Sequence, residues 1–340
     1  MASQDGTEYQ LASDLRICRI LNGMWQVAGA HGHIDPTSAV VSMIKYHDAG
    51  FTTWDLADIY GPAENFVGEF RRKLSKEKGA QALDKVKALT KFVPNPGVMT
   101  RSIVKQSIDA SLSRMGVKTL DLLQFHWWDY NDTNYLNVLQ HLSELRDEGK
   151  IKHVGLTNFD TEHMQIMVDQ GLKLVSNQIQ YSIIDLRPEV KMAKFCKQHN
   201  IVLLTYGTLC GGLLSEKYLA KPEPLRGDLD TASLQKYKQM IDAWGGWELF
   251  QELLNALNEI AQKHSVSIAN VATRYILDKP TVTGVIIGLR LGVTEHKADN
   301  SRVFDMKLDR DDNDKINSVT GKSRDLFASI GDCGDEYRRQ

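Results

Sequence analysis

Short apolar runs alternate with longer segments of helical period about eight times along the chain, the grammar of parallel strands joined by crossover helices. Strands are expected at Ile17 to Leu21, Phe51 to Asp55, Val86 to Lys91, Leu120 to His126, Ile151 to Leu156, Leu174 to Ile179, Ile201 to Thr205 and Gly284 to Ile287. Between the first two, Asp35 is placed to cap a helix that Pro36 starts, with Ala39, Val40, Met43 and Ile44 on one face. Another helix carries Leu136, Leu139, Leu142 and Leu145 and stops at Gly149. Eight strands without a second compositional regime favour an α/β fold of the closed (β/α)8, or TIM-barrel, kind in one domain over residues 1–340, with a core at about 12–320 and a tail at 321–340. An open doubly wound sheet is the rival, since local pattern does not show whether the first strand pairs with the last. Against it, NGMWQVAG follows the first strand where a Rossmann dinucleotide site needs GxGxxG.

Two stretches interrupt the alternation. Residues Gly211 to Gly246 form a long excursion after the seventh strand, placed to act as a lid. Beyond a capped helix pattern at Asp309 to Val319, the terminal DCGDEYRRQ reads as a solvated or loosely docked end.

Composition narrows the function. Forty-one Lys plus Arg against 43 Asp plus Glu give a net charge of -2, without the basic footprint of a nucleic-acid binder. Cys18, Cys196, Cys210 and Cys333 are scattered, so neither a disulfide framework nor a metal site is expected. No signal-like or membrane-spanning apolar run occurs, and a cytoplasmic monomer or weak homo-oligomer is the expectation.

Polar residues gather at the carboxyl ends of the expected strands, where a barrel builds its site. Asp55 ends the second, Tyr60 follows in DLADIYGPAEN, Lys91 ends the third in ALTKF, and His126 ends the fourth in LLQFHWW. Singly, each has an ordinary structural explanation; an apolar strand that ends abruptly in Lys or His gains nothing in core energy by doing so. Together they suit proton transfer to a carbonyl oxygen. A Tyr hydroxyl is a reluctant acid unless a cation stabilises its phenolate; Lys91 supplies that charge, Asp55 aims it, and His126 donates to the substrate oxygen. None of these is a hydride source, so a cofactor is required. A hydrolase using Asp55 and Asp58 is a weaker rival, because both lie on one loop.

Across most of its length the chain resembles the aldo-keto reductase family. GFTTWDLADIYGPAENFVGE is similar to the segment around that family's catalytic Asp and Tyr, ALTKF to its Lys segment, and SLSRMGVKTLDLLQFHWW to its His segment. The resemblance implies reduction of aldehydes or ketones by NADPH rather than NADH, with Asp55, Tyr60, Lys91 and His126 as the catalytic set. It also implies a nicotinamide held by Thr157, Asn158 and Gln178 and stacked on Tyr206, with Gly207 and Leu209 beside it. Gly288, Arg290, Asp299 and Asn300 would meet the adenosine 2'-phosphate end, and Trp25, Trp127 and Trp128 would wall the substrate pocket. In GVIIGLRLGVTEHKADN the chain departs from the family pattern: Ile287 replaces the usual Pro, His296 replaces a Gln or Arg, and the segment is about two residues longer. The family also resembles potassium-channel beta subunits, which makes a cofactor-binding regulatory subunit the alternative.

Overall fold

The first and last strands of the repeating series are hydrogen-bonded neighbours in the computed structural model, which describes residues 3, 6–95 and 97–338. In chain order the strands are β1 (Glu8–Ala12), β2 (Leu15–Cys18), β3 (Ile20–Gly23), β4 (Thr53–Asp55), β5 (Lys87–Phe92), β6 (Leu120–His126), β7 (Ile151–Thr157), β8 (Ser176–Gln180), β9 (Val202–Tyr206) and β10 (Val282–Gly288). Strands β3 to β10 close in sequence order into a parallel barrel, with Val285 opposite Ile20 and Gly288 opposite Gly23 at the seam. The chain is therefore a single-domain (β/α)8 barrel, and the open-sheet rival is eliminated.

One strand assignment needs correction. Ile17 belongs to β2 of an antiparallel hairpin rather than to the barrel, whose first strand starts at Ile20. Leu11, Leu15 and Ile17 pack on Leu21, Leu89, Leu122, Leu204 and Ile286, so the hairpin plugs the amino-terminal floor. The apolar run gives no sign of this break, because Arg19 within it is itself buried and donates to the carbonyls of Leu277, Val282 and Thr283.

Helices surround the barrel and bury their apolar stripes on its outer face. Helix Pro36–Asp48 begins as expected, with Asp35 accepting from the Ser38 amide at 2.7 Å and Pro36 in the first turn. After β9 the excursion runs through three short 3-10 turns into helix Ala232–Trp244, which Thr231 caps through the Leu234 amide. Helix Arg310–Thr320 packs on helix Gly246–His264 behind a capping box of Asp309 and Asp312. Among the described residues no helix is long and apolar enough to cross a membrane.

The terminus departs from expectation. Far from being solvated, Cys333 is 2% exposed, and residues Asp332 to Arg338 run over the carboxyl mouth of the barrel. Buried Arg187 holds them: it pairs with Asp185 through two hydrogen bonds of 2.8 Å and reaches the Asp332 carbonyl at 3.2 Å and the Glu336 carboxylate at 3.0 Å. The polar composition of the tail misleads, because its partners come from a loop some 145 residues away.

Candidate active site

Each barrel strand delivers its last residues to the carboxyl rim, and seven of the expected site residues stand there: Asp55 on β4, Lys91 on β5, His126 on β6, Thr157 on β7, Gln178 on β8, Tyr206 on β9 and Gly288 on β10. Asp55 is the hub. Its Oδ2 accepts from Lys91 Nζ at 2.7 Å, while Oδ1 accepts from Gln178 Nε2 at 2.7 Å and Gln124 Nε2 at 3.0 Å. Lys91 also donates to the Leu56 carbonyl at 3.0 Å. Both ions are almost wholly enclosed, with side chains 3% and 4% exposed, so the pair depends on these amide and carbonyl partners to offset its lost hydration.

Tyr60 stands over this pair, with Lys91 Nζ 5.1 Å from its ring centroid. Its loop is laced to β5: the Leu56 amide donates to Leu89, and the Asp58 amide to the Lys91 carbonyl, each at 3.0 Å. Burial pushes the Tyr60 hydroxyl well above its ordinary pKa, and the nearby Asp55, Tyr337 and Asp58 add to that. Burial lowers the Lys91 ammonium from its usual value, and Asp55 works against the fall. The arrangement thus keeps the proton on Tyr60 until a stronger base forms beside it.

His126 is held through Nδ1, 3.0 Å from the Thr157 carbonyl. A carbonyl oxygen only accepts, so Nδ1 carries the hydrogen and Nε2 of the neutral ring is a bare lone pair. Burial pushes the imidazole down to about 4; the Thr157 carbonyl partly offsets it, and Arg338 and Lys91 push it lower. The neutral ring therefore accepts at Nε2, and the donor role expected of it requires the imidazolium. Nε2 is buried with no partner among the described residues, and Trp128 lies edge-to-face with the ring at 4.4 Å.

The remaining expected residues divide. Thr157 Oγ1 is buried without a partner, and Asn158, at φ 58°, turns back over the mouth with its Oδ1 accepting from Tyr206 Oη at 2.7 Å. Gln178 spends its amide hydrogens on Asp55 and on Gln124 Oε1. Gly207 and Leu209 follow β9 beside Tyr237 and Cys210. At the end of β10, Gly288 leaves space filled by the Gln26 amide, where any side-chain carbon would collide. Gln26 Oε1 and His31 Nδ1 are buried there without partners, and Arg290 is exposed beside Gly32.

Trp25 is half-buried and meets His31 edge-on at 4.9 Å. Trp127 is set apart from the rim: it is 2% exposed, packs on Phe125, and donates from Nε1 to the carbonyls of Asp129 and Asp132. Asp299 and Asn300 lie in the short helix Lys297–Ser301 after β10. The Asp299 carboxylate is taken by Ser267 Oγ at 2.8 Å and Asn270 Nδ2 at 3.3 Å, and Asn300 is 6% exposed.

The orphaned polar atoms of Thr157, Gln26 and His31, together with Gly288, where only the movable end of the Gln26 side chain stands over the backbone, fit a nicotinamide dinucleotide at its carboxamide and phosphate ends. Gln124, Lys236, Tyr337 and Arg338 belong to the same mouth and carry no signal in the sequence. Gln124 lies inside an apolar strand, Lys236 on a surface-like helix pattern, and the tail pair in a polar terminus.

Residues 19–320 match the aldo/keto reductase family, and the chain belongs to it. The Bacillus subtilis (strain 168) aldo-keto reductase YhdN is 26% identical over 295 residues, covering 83% of this chain and 85% of its own. The NADH-specific methylglyoxal reductase of Escherichia coli (strain K12) is 26% identical over 294 residues, or 81% and 87%. The Chlamydomonas reinhardtii flagellar radial spoke protein 5 is 28% identical over 65% of the chain, which spans about half of that relative, 49%. In fold, the glycerol dehydrogenase AKR11B4 from Gluconobacter oxydans superposes with a TM-score of 0.75 over 97% of this chain and 98% of its own, at 23% identity. A Klebsiella pneumoniae aldo/keto reductase in complex with NADP and acetate gives a TM-score of 0.69 over 92% and 95%, at 22% identity.

Asp58 lies on the Tyr60 loop but faces a side groove with Val93, Met99 and Arg114, where both its carboxylate oxygens accept from the Val93 amide. Burial raises its pKa from 3.8 to about 6. A carboxyl with a raised folded pKa contributes stability that is complete below the unfolded value and lost as pH rises through the folded one. Asp58→Asn is therefore expected to stabilise the protein at pH 7.5 by about 1–2 kcal/mol and to have little effect near pH 4. Urea denaturation at the two pH values checks this; an equal effect at both removes the charge from the explanation.

Proposed function

We propose that the chain is a nicotinamide-dependent reductase that converts aldehyde or ketone carbonyls of small molecules to alcohols, with Tyr60 as proton donor. The observation that carries this reading is the enclosed Asp55–Lys91 pair beneath the Tyr60 ring. An ion pair sealed at this depth contributes little net stability, and its position beside a protonated phenol gives it a chemical use.

The carbonyl oxygen would lie between Tyr60 and His126. As negative charge develops on it, Tyr60 releases its proton to that oxygen, and the phenolate left behind is stabilised by Lys91. Asp55 keeps Lys91 charged and aimed, and Gln124 and Gln178 hold Asp55 in turn. His126, bare at Nε2, accepts from the hydroxyl of the alcohol and so orients the product side of the equilibrium. A bound nicotinamide would supply the hydride, with Thr157, Asn158 and Tyr206 placed to hold it.

Arg290, exposed at the end of β10 and without an ion pair among the described residues, supports a preference for NADPH over NADH through the 2'-phosphate. Four buried, unpaired cysteines suit a reducing compartment such as the cytoplasm. Titration with each dinucleotide, followed by tryptophan fluorescence, is expected to show binding of both and tighter binding of NADPH. Arg290→Ala should weaken NADPH by about 1–3 kcal/mol and NADH by less. Equal losses would remove Arg290 from phosphate recognition. Binding without turnover of any aldehyde would favour the regulatory-subunit alternative.

A further inference from the structure

We infer that the C-terminal tail is an autoinhibitory cover whose tip, Tyr337 and Arg338, competes with the dinucleotide for Tyr206 and Asn158. The inference rests on the assignment of those two residues to the nicotinamide site.

The tail has two parts of unequal strength. Its base is built in: Arg187, with a side chain 2% exposed, grips the Asp332 carbonyl and Glu336, the Thr161 amide donates to Asp332 at 3.0 Å, and Cys333 is enclosed. Gly334, at φ 90°, lies so close to the Asn158 carbonyl that no side-chain carbon would fit. Such contacts seat the base specifically against the loop that follows β7.

The tip extends from this base into the mouth. Tyr337 Oη is 2.9 Å from Tyr206 Oη, which itself donates to Asn158 Oδ1. Lys236 donates to Tyr337 Oη, and its Nζ lies 4.6 Å from the Tyr337 ring centroid and 5.2 Å from that of Tyr206. Arg338 donates to the Asn158 carbonyl at 2.5 Å and the Trp127 carbonyl at 2.6 Å, and its guanidinium lies 3.9 Å from the Tyr130 ring centroid. Thus Tyr337 engages the hydroxyl of the residue whose ring a nicotinamide would stack on, and Arg338 engages the main-chain carbonyl of the residue whose amide it would bind.

Unlike the base, Tyr337 and Arg338 are only half-buried, and neither forms an ion pair among the described residues. Their few hydrogen bonds and ring contacts are of a strength a dinucleotide can replace, whereas the Arg187 clamp is not. The tip is the part that gives way, and the base keeps it at high local concentration for return.

The test is cofactor affinity of the full chain carrying Tyr337→Ala and Arg338→Ala together, measured with NADP+ by fluorescence quenching. A Kd tighter than wild type by about fivefold or more is expected, the equivalent of removing one ordinary competing hydrogen bond. Hydrogen exchange in the unaltered chain supplies a second readout: the amides of Tyr337 and Arg338 should exchange faster when NADP+ is added, while those of the base do not. An unchanged or weaker Kd, or slower exchange on binding, would mean that the tail closes with the cofactor and would overturn competition while leaving the nicotinamide site intact. No binding to either form overturns the site assignment and the competition with it.

Discussion

Tyr60→Phe is expected to lower carbonyl turnover by about 10²–10⁴-fold, the range for losing a positioned proton donor, with little change in dinucleotide affinity or thermal stability. The ring that Lys91 lies against, 5.1 Å from its centroid, survives the substitution, so packing changes little. His126 is not placed to take over the donation. His126 commits its only hydrogen to the Thr157 carbonyl, and its ring stays neutral down to about pH 4. Steady-state kinetics with a generic aldehyde, alongside cofactor titration, measures both effects. Turnover within tenfold of the parent would remove Tyr60 as the acid; a matching loss of cofactor affinity would make it a binding residue instead.

His126 carries a second consequence. Its folded pKa stands below the ordinary imidazole value, so the unfolded chain binds the proton more readily between about pH 4 and 6.5. Stability associated with the buried neutral ring is complete above that window and falls as the solution is acidified through it. Asp58 acts in the opposite sense over much of the same range, which leaves the chain's acid sensitivity a difference between two buried groups near one rim.

The strand-helix alternation and the positions of Asp55, Lys91 and His126 were legible in the sequence because both are local properties. A strand shows its period within a few residues, and a charged residue ending an apolar run is visible where it stands. Barrel closure is not local, and pattern alone could only favour it; the Val285–Ile20 pairing joins residues at opposite ends of the chain. The same limit hid the hairpin floor. Residues 15 to 21 look like one strand until Arg19 is seen to turn outward onto three carbonyls near the start of β10.

The seating of the tail is hidden from the sequence for a related reason. Asp332, Glu336 and Arg338 have the composition of a solvated end, and their burial depends on Arg187, Trp127 and Asn158, which no nearby residue announces. Polar side chains are buried when partners are preformed, and only the folded chain displays the partners. Gln178 and Gln124 make the same point inside the barrel: both amides donate to Asp55, a link between distant strands that neither local sequence displays.

Lys91→Met is expected to abolish turnover and to cost about 3–5 kcal/mol of stability near pH 7.5, because it leaves Asp55 sealed without its counter-charge. Oδ1 retains the two glutamine amides, but Oδ2 loses its donor and the carboxylate keeps no counter-charge within the enclosure. Urea denaturation of variant and parent at pH 7.5 measures the loss. Adding Asp55→Asn removes the stranded charge, and the double variant should recover more than half of the lost stability with none of the activity. That outcome would separate the chemical use of Lys91 from its structural one. A single substitution costing under about 1 kcal/mol would show that water or a rearranged neighbour neutralises Asp55, and that the Asp55–Lys91 pair is not the enclosed unit on which the proton donor depends.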